Sequence, residues 1–272
     1  MARYGTASFS FPEFRGATRR LVLFNLIAYF ALAVAGFADK SLLAWLFAHF
    51  SFVPQAFLDG WLWQPFTYSF IHLGLVGTLL ELLSLWFMAG FLESGHSSNW
   101  VMNLYAVSVL GTAAAATALY AISGGLRHPV EQVALSGCFG GIFGLLVAIG
   151  ILYGDLQFML FPLPIGIKAR YLVAIYALVS IAMLFGQQRM YAFSELGGAL
   201  AGWAFIRLAP RRGFGFAVSE RWYGLRNGYY RWKRRRAARK FEVYMRSQGR
   251  TVRFDGQGRR IDDDADDKKK WN

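Results

Sequence analysis

One cysteine, Cys138, stands in 272 residues. This excludes an intrachain disulfide, and no Cys/His run has the spacing of a zinc finger. Histidine is scarce as well: His49, His72, His96 and His128 are all there are, and none follows residue 128. The last third of the chain therefore has no imidazole to activate a serine or thiol. Basic residues thin out in the middle, where the second, third and fourth apolar segments and their links hold only Arg127. The short alternating runs of an outer-membrane barrel are missing too.

Apolar length is what the chain has. Hydrophobic residues make up 56%, more than ordinary soluble domains carry. Six stretches approach or exceed the ~18 residues that cross a bilayer core: about 21 to 38, 69 to 92, 99 to 122, 133 to 152, 169 to 186 and 192 to 209. Backbone groups in lipid must bond internally, so these read as helices of an all-α polytopic membrane protein. Cys138 falls inside the fourth stretch and reads as a small apolar filler. Ala33-Val34-Ala35 after Arg19-Arg20 resembles a signal cleavage site, but the run continues through Gly36-Phe37-Ala38, which favours a retained span.

The net charge of +13 is concentrated at the ends. Most Lys and Arg follow residue 209, and Arg3, Arg15, Arg19 and Arg20 mark the amino-terminal arm. By the positive-inside rule both termini are expected in the cytoplasm, with a bacterial inner membrane as the location. The link from 153 to 170, with Lys168 and Arg170, fits the same side, whereas the link from 93 to 98 carries no Lys or Arg.

Three regions follow: an arm over 1–20, a membrane domain over 21–209, and a basic tail over 210–272. Residues 39 to 68 are too apolar for a plain loop. Pro54 and Asp59-Gly60 break any long helix, and Trp45, Trp61 and Trp63 suit the headgroup level. Short helices embedded in one leaflet are expected. Small residues at helical spacing, Gly140 and Gly144 on the fourth span and Gly198 and Gly202 on the sixth, with Gly137 nearby, predict close helix packing.

In the tail, Trp222, Leu225, Tyr229 and Trp232 recur at three- and four-residue steps around Arg231, Lys233, Arg234, Arg235 and Arg236. This pattern predicts an amphipathic helix binding anionic lipid headgroups, in preference to nucleic acid. The stretch from Asp262 through Lys270 reads as disordered.

Gly137-Cys138-Phe139-Gly140-Gly141-Ile142-Phe143-Gly144 resembles the G-x-S-G-x-x-x-G signature of the rhomboid intramembrane serine proteases, with Phe139 at the serine. On the second span His72 matches a family histidine, Gly77 stands for a second histidine and Glu81 for an asparagine. Trp63-Gln64 stands for Trp-Arg. On the sixth span Gly198 and Gly202 match, and Glu195 takes the place of the base. The resemblance implies a six-helix rhomboid-like bundle with the nucleophile, base and asparagine lost. It implies a proteolytically inactive member that binds transmembrane segments or client membrane proteins. It also places Glu81 and Glu195 near one cavity with His72 towards its end. Two acids and one histidine are a thin ligand set, so no metal and no cofactor is expected. Phe139 reads first as filler for a lost site and second as a plug in a substrate groove. Alternative functions are a non-serine hydrolase with Glu81 or Glu195 as general base, and a proton or ion pathway along the acids.

Overall fold

The computed structural model describes residues 12–125, 134–160, 165–186, 188–208, 214–249, 252–254 and 260–261. The chain divides into two compact units, Met1–Gly213 and Phe214–Asn272.

In the first unit, α1 (Gly16–Ala38) leads into three short helices, α2 (Lys40–Phe50), α3 (Pro54–Leu58) and α4 (Gln64–Thr67). Five longer helices follow: α5 (Leu75–Gly95), α6 (Ser98–Gly125), α7 (Phe139–Leu152), α8 (Ala169–Met183) and α9 (Arg189–Leu208). Among the described residues three helices are long and apolar enough to cross a membrane: α1, α5 and α6. The expected fourth and fifth spans hold shorter apolar helices, α7 and α8. Arg19 and Arg20, expected in the arm, are the fourth and fifth residues of α1.

Helices α6, α7 and α9 pack through their small residues. A Cβ on Gly140 would overlap the Thr112 side chain, and one on Gly144 would overlap Ser108. A Cβ on Gly202 would fall 2.7 Å from Gly144 Cα. The two hydroxyls at this seam are satisfied inside α6, Ser108 Oγ by Leu104 O at 2.8 Å and Thr112 Oγ1 by Ser108 O at 3.0 Å. Backbones can then approach closely without burying an unpaired polar group.

Helix α1 lies against α5 and begins on an acid. Glu93, near the end of α5, accepts the amides of Ala17 (2.8 Å) and Thr18 (3.0 Å) and the Thr18 hydroxyl (2.7 Å). Ser98 Oγ donates to the same carboxylate. Four amides at a helix start have no intrahelical partner, and here a distant side chain supplies two of them. The link from 93 to 98, bare of Lys and Arg, thus carries a capping carboxylate.

Two expectations change. The fourth span does not begin as helix: Phe52 and Leu135 exchange backbone hydrogen bonds of 2.9 and 2.8 Å as an isolated antiparallel bridge, so a non-helical segment precedes α7. Gly137, with φ of +89°, ends that segment in a conformation that suits glycine, so it lies outside the α7–α9 seam expected of it. The link from 153 to 170 contains an antiparallel hairpin, β1 (Gln157–Leu160) with β2 (Ile165–Lys168).

The first link folds around stacked rings. Trp45 and His49 stack at 4.1 Å, His49 and Trp61 at 4.8 Å, and Trp61 and Trp63 at 5.6 Å. Trp63 Nε1 donates to His49 O at 3.0 Å. Gln64 is buried and accepts from Val53 N at 3.1 Å.

Among its described residues the second unit has one helix, α10 (Phe214–Ser247), and a short ladder pairing β3 (Arg253–Phe254) with β4 (Arg260–Ile261). Arg231 to Arg236 lie exposed on the helix, and the Arg236 guanidinium sits 5.4 Å over the Trp232 ring. The Trp222 and Leu225 side chains, and the stretch from Asp262 through Lys270, fall outside the described residues.

Candidate functional site

The site forms where the segment before α7 crosses the start of α5. Gly137 N donates to Tyr68 O at 3.1 Å, Tyr68 OH to Val109 O at 2.9 Å, and Tyr191 OH to Ala134 O at 2.8 Å. These bonds pin residues 134–137 between the first link, α6 and α9. Opposite them, the chain turns at Gly74, whose φ is +82°, and starts α5 just after His72.

Glu81, two turns into α5, reaches across to this segment. Its Oε2 accepts from Cys138 N at 3.0 Å and lies 3.5 Å from Cys138 Sγ, the thiol donating. Cys138 precedes α7, so the carboxylate sits at the positive end of that helix and satisfies one of its unpaired amides. A Cβ on Gly137 would come within 2.7 Å of Glu81 Oε2, so this position needs glycine for contact as well as for φ. Cys138 is fully buried and bonded, which replaces the expected apolar filler with a polar partner.

His72 is 3% exposed, and its Nε2 lies 3.2 Å from Glu81 Oε2. The contact is off the line of a hydrogen bond, and among the described residues neither ring nitrogen meets a hydrogen-bond partner. His72, Glu81 and Cys138 each bring one ligand-type atom into a group whose members lie within 4.8 Å of one another.

The remaining positions are not members of this contact group. Glu195 on α9 accepts from the buried Ser180 of α8 at 3.4 Å. Among the described residues no hydrogen bond or ion pair joins Glu195 to Glu81. Gly77 faces open space on α5. Phe139, the first residue of α7, is 44% exposed. It therefore does not fill an emptied interior, which was its expected role.

The arrangement is unsuited to nucleophilic catalysis. In a thiol–imidazole–carboxylate triad the imidazole stands between the other two groups. Here the carboxylate stands between thiol and imidazole. Sequence reasoning found His72 and Glu81 but missed Cys138 and Glu93 as polar partners. The signal for Glu93 was its place in a link without a compensating base.

Residues 19–212, well over half of the chain, match the family described as Eukaryotic integral membrane protein (DUF1751), and the chain belongs to that family. No curated protein sequence matches the chain. This membership corrects the assignment to the rhomboid serine proteases, which rested on glycine spacing and His72 with the nucleophile, base and asparagine absent. Close-packing glycines serve any tight helical membrane protein, so they do not identify a protease. The eukaryotic family likewise overturns the expected bacterial inner membrane.

Proposed function

We propose that this member of an integral membrane protein family binds transmembrane segments of client proteins at the face over α7. The observation that carries it is the exposed Phe139 at the start of α7, and we read the face around it as a slot. Helices α5 and α8 each pack on α7 and scarcely touch each other. The second half of α5 is largely buried, while Leu75, Val76, Leu79, Leu80 and Leu83 of the first half stand exposed. On the other side, Phe143 of α7 meets Tyr176 of α8 edge to face at 6.1 Å, and Ile175 and Leu178 are exposed. An apolar helix entering from lipid would find aliphatic walls and an aromatic ring at the base.

On this reading α7, α8 and α9 cross the bilayer with α1, α5 and α6, giving six crossings. The 14 residues of α7 span only about 21 Å. Its buried residues rest on α6 and α9, so protein rather than lipid surrounds it. The tail adds contacts to anionic headgroups, and no nucleic-acid partner is invoked. Hydrolysis by the acids is disfavoured because Glu81 Oε2 is already committed to the Cys138 amide and thiol.

A photo-crosslinking residue at position 139 tests this in native membranes. Adducts with membrane-embedded polypeptides should exceed those from Phe30, an exposed apolar residue of α1. Equal polypeptide yields from both positions would refute the slot.

A further inference from the structure

We propose that His72, Glu81 and Cys138 form a three-ligand site for a divalent transition metal of the Zn²⁺ class. The inference is independent of the client-binding reading. It begins from an imidazole that is buried and unsatisfied. His72 is 3% exposed, and among the described residues neither ring nitrogen has a hydrogen-bond partner. A buried polar group left unpaired is costly, and coordination would supply the missing partner.

The spacing supports the same conclusion. Zn²⁺ takes nitrogen at about 2.0–2.1 Å, carboxylate oxygen at about 2.0–2.2 Å and thiolate at about 2.3 Å, in a tetrahedron. The edges of such a tetrahedron are about 3.4 Å between N and O, and about 3.6 Å between S and O. The chain has 3.2 Å from His72 Nε2 to Glu81 Oε2 and 3.5 Å from Glu81 Oε2 to Cys138 Sγ. All three ligand atoms fall within 4.8 Å of one another. The His72 contact lies off the line of a hydrogen bond, and both distances match the edges of a tetrahedron around an ion.

The donor set selects the ion. One thiolate, one imidazole and one carboxylate suit Zn²⁺ or Co²⁺, whereas Mg²⁺ and Ca²⁺ prefer oxygen alone. Three protein ligands leave a fourth position for water or a ligand group, the pattern of open rather than structural zinc sites. The Cys138 amide on Glu81 Oε2 fixes the carboxylate from outside the ligand shell. Binding breaks the Cys138 S–H bond, forms an S–metal bond and releases one proton to water, with no change of oxidation state.

From sequence, His72, Glu81 and Glu195 made too thin a set. The contact group leaves out Glu195 and takes in Cys138. Because Cys138 is the only cysteine, thiol chemistry reports on this site alone.

The test uses the full chain in detergent, freed of any histidine tag, stripped with chelator and loaded with Co²⁺ or Zn²⁺. One metal per chain is expected, with a thiolate-to-cobalt charge-transfer band. Zn²⁺ should slow alkylation of Cys138 and raise the melting temperature. Cys138→Ser should remove the band, and His72→Ala or Glu81→Gln should weaken binding at least about a hundredfold, beyond the 10–100-fold typical of outer-shell partners. Glu195→Gln should leave stoichiometry unchanged. If a ligand variant fails to fold, the alkylation and charge-transfer readings on the unmodified chain still decide. Absence of the band, unprotected Cys138 at saturating Zn²⁺, or full binding by His72→Ala overturns the proposal.

Discussion

The Glu93 carboxylate accepts both the amide and the hydroxyl of Thr18, 75 residues earlier, at 3.0 and 2.7 Å. It ties the start of α1 to the end of α5 and aligns a negative charge with the positive end of a helix. Glu93→Ala leaves two amides and two hydroxyls without their acceptor. Each charged hydrogen bond contributes about 1.5–3 kcal/mol, so a loss on the order of 3 kcal/mol is expected, and Glu93→Gln should lose less. Thermal unfolding in one detergent checks this; an unchanged midpoint for Glu93→Ala would remove the cap from the account.

Two glycine substitutions should have opposite signs. A Cβ on Gly144 overlaps Ser108 at the α6–α7–α9 seam, whereas one on Gly77 meets open space. Gly144→Ala should destabilise by about 1–3 kcal/mol through overpacking. Gly77→Ala should stabilise by about 0.5–1 kcal/mol, because alanine favours helix. Melting curves for both variants give the comparison, and equal shifts would argue against the seam.

Much of the helical order was legible because apolar runs of span length are rare outside membranes. The close-packing roles of Gly140, Gly144, Gly198 and Gly202 were legible from their spacing. What the pattern could not show was contact between distant segments. Leu135 looks like part of an apolar span, yet it bonds to Phe52, and that pairing depends on the fold of the first link. Cys138 looks like filler because its partner Glu81 lies 57 residues away. The same glycines that disclosed the packing misdirected the family assignment, since backbone approach and peptide hydrolysis both call for small residues there.

Asp39 joins α1 to α2 and should make that corner acid-sensitive. Its amide donates to Ala35 O at 2.8 Å, and its Oδ1 accepts from Ser41 Oγ and Ser41 N, each at 2.7 Å. The Ser41 hydroxyl, then the Ser41 amide, hold the carboxyl below its ordinary value of 3.8. A depressed folded pKa means the stabilisation is complete above the unfolded value and fades as pH falls through the folded one. The melting-temperature gap between the native chain and Asp39→Ala should be small, since the group is exposed. It should be constant above about pH 5 and shrink below about pH 4. A gap that widens on acidification contradicts this sign.

The tail helix gives the last expectation, and it separates charge from ring. Arg231, Lys233, Arg234, Arg235 and Arg236 fall within two turns of α10, with Trp232 among them, all exposed. Near an anionic surface each base contributes about 1 kcal/mol, and that attraction decays over a Debye length of about 8 Å at physiological salt. The Trp232 ring contributes apolar contact that salt does not screen. A peptide spanning residues 214–249 should therefore bind phosphatidylserine-containing vesicles more tightly than neutral ones, with affinity falling as salt rises. Replacing these five of the peptide's ten bases by Gln should shrink the difference between vesicle types and flatten the salt slope. Trp232→Ala should lower binding to both vesicle types and keep the salt slope. Equal affinity of the unmodified peptide for neutral and anionic vesicles would rule out the electrostatic part. Tighter retention by duplex DNA than by anionic vesicles at the same salt would reassign the tail to nucleic acid.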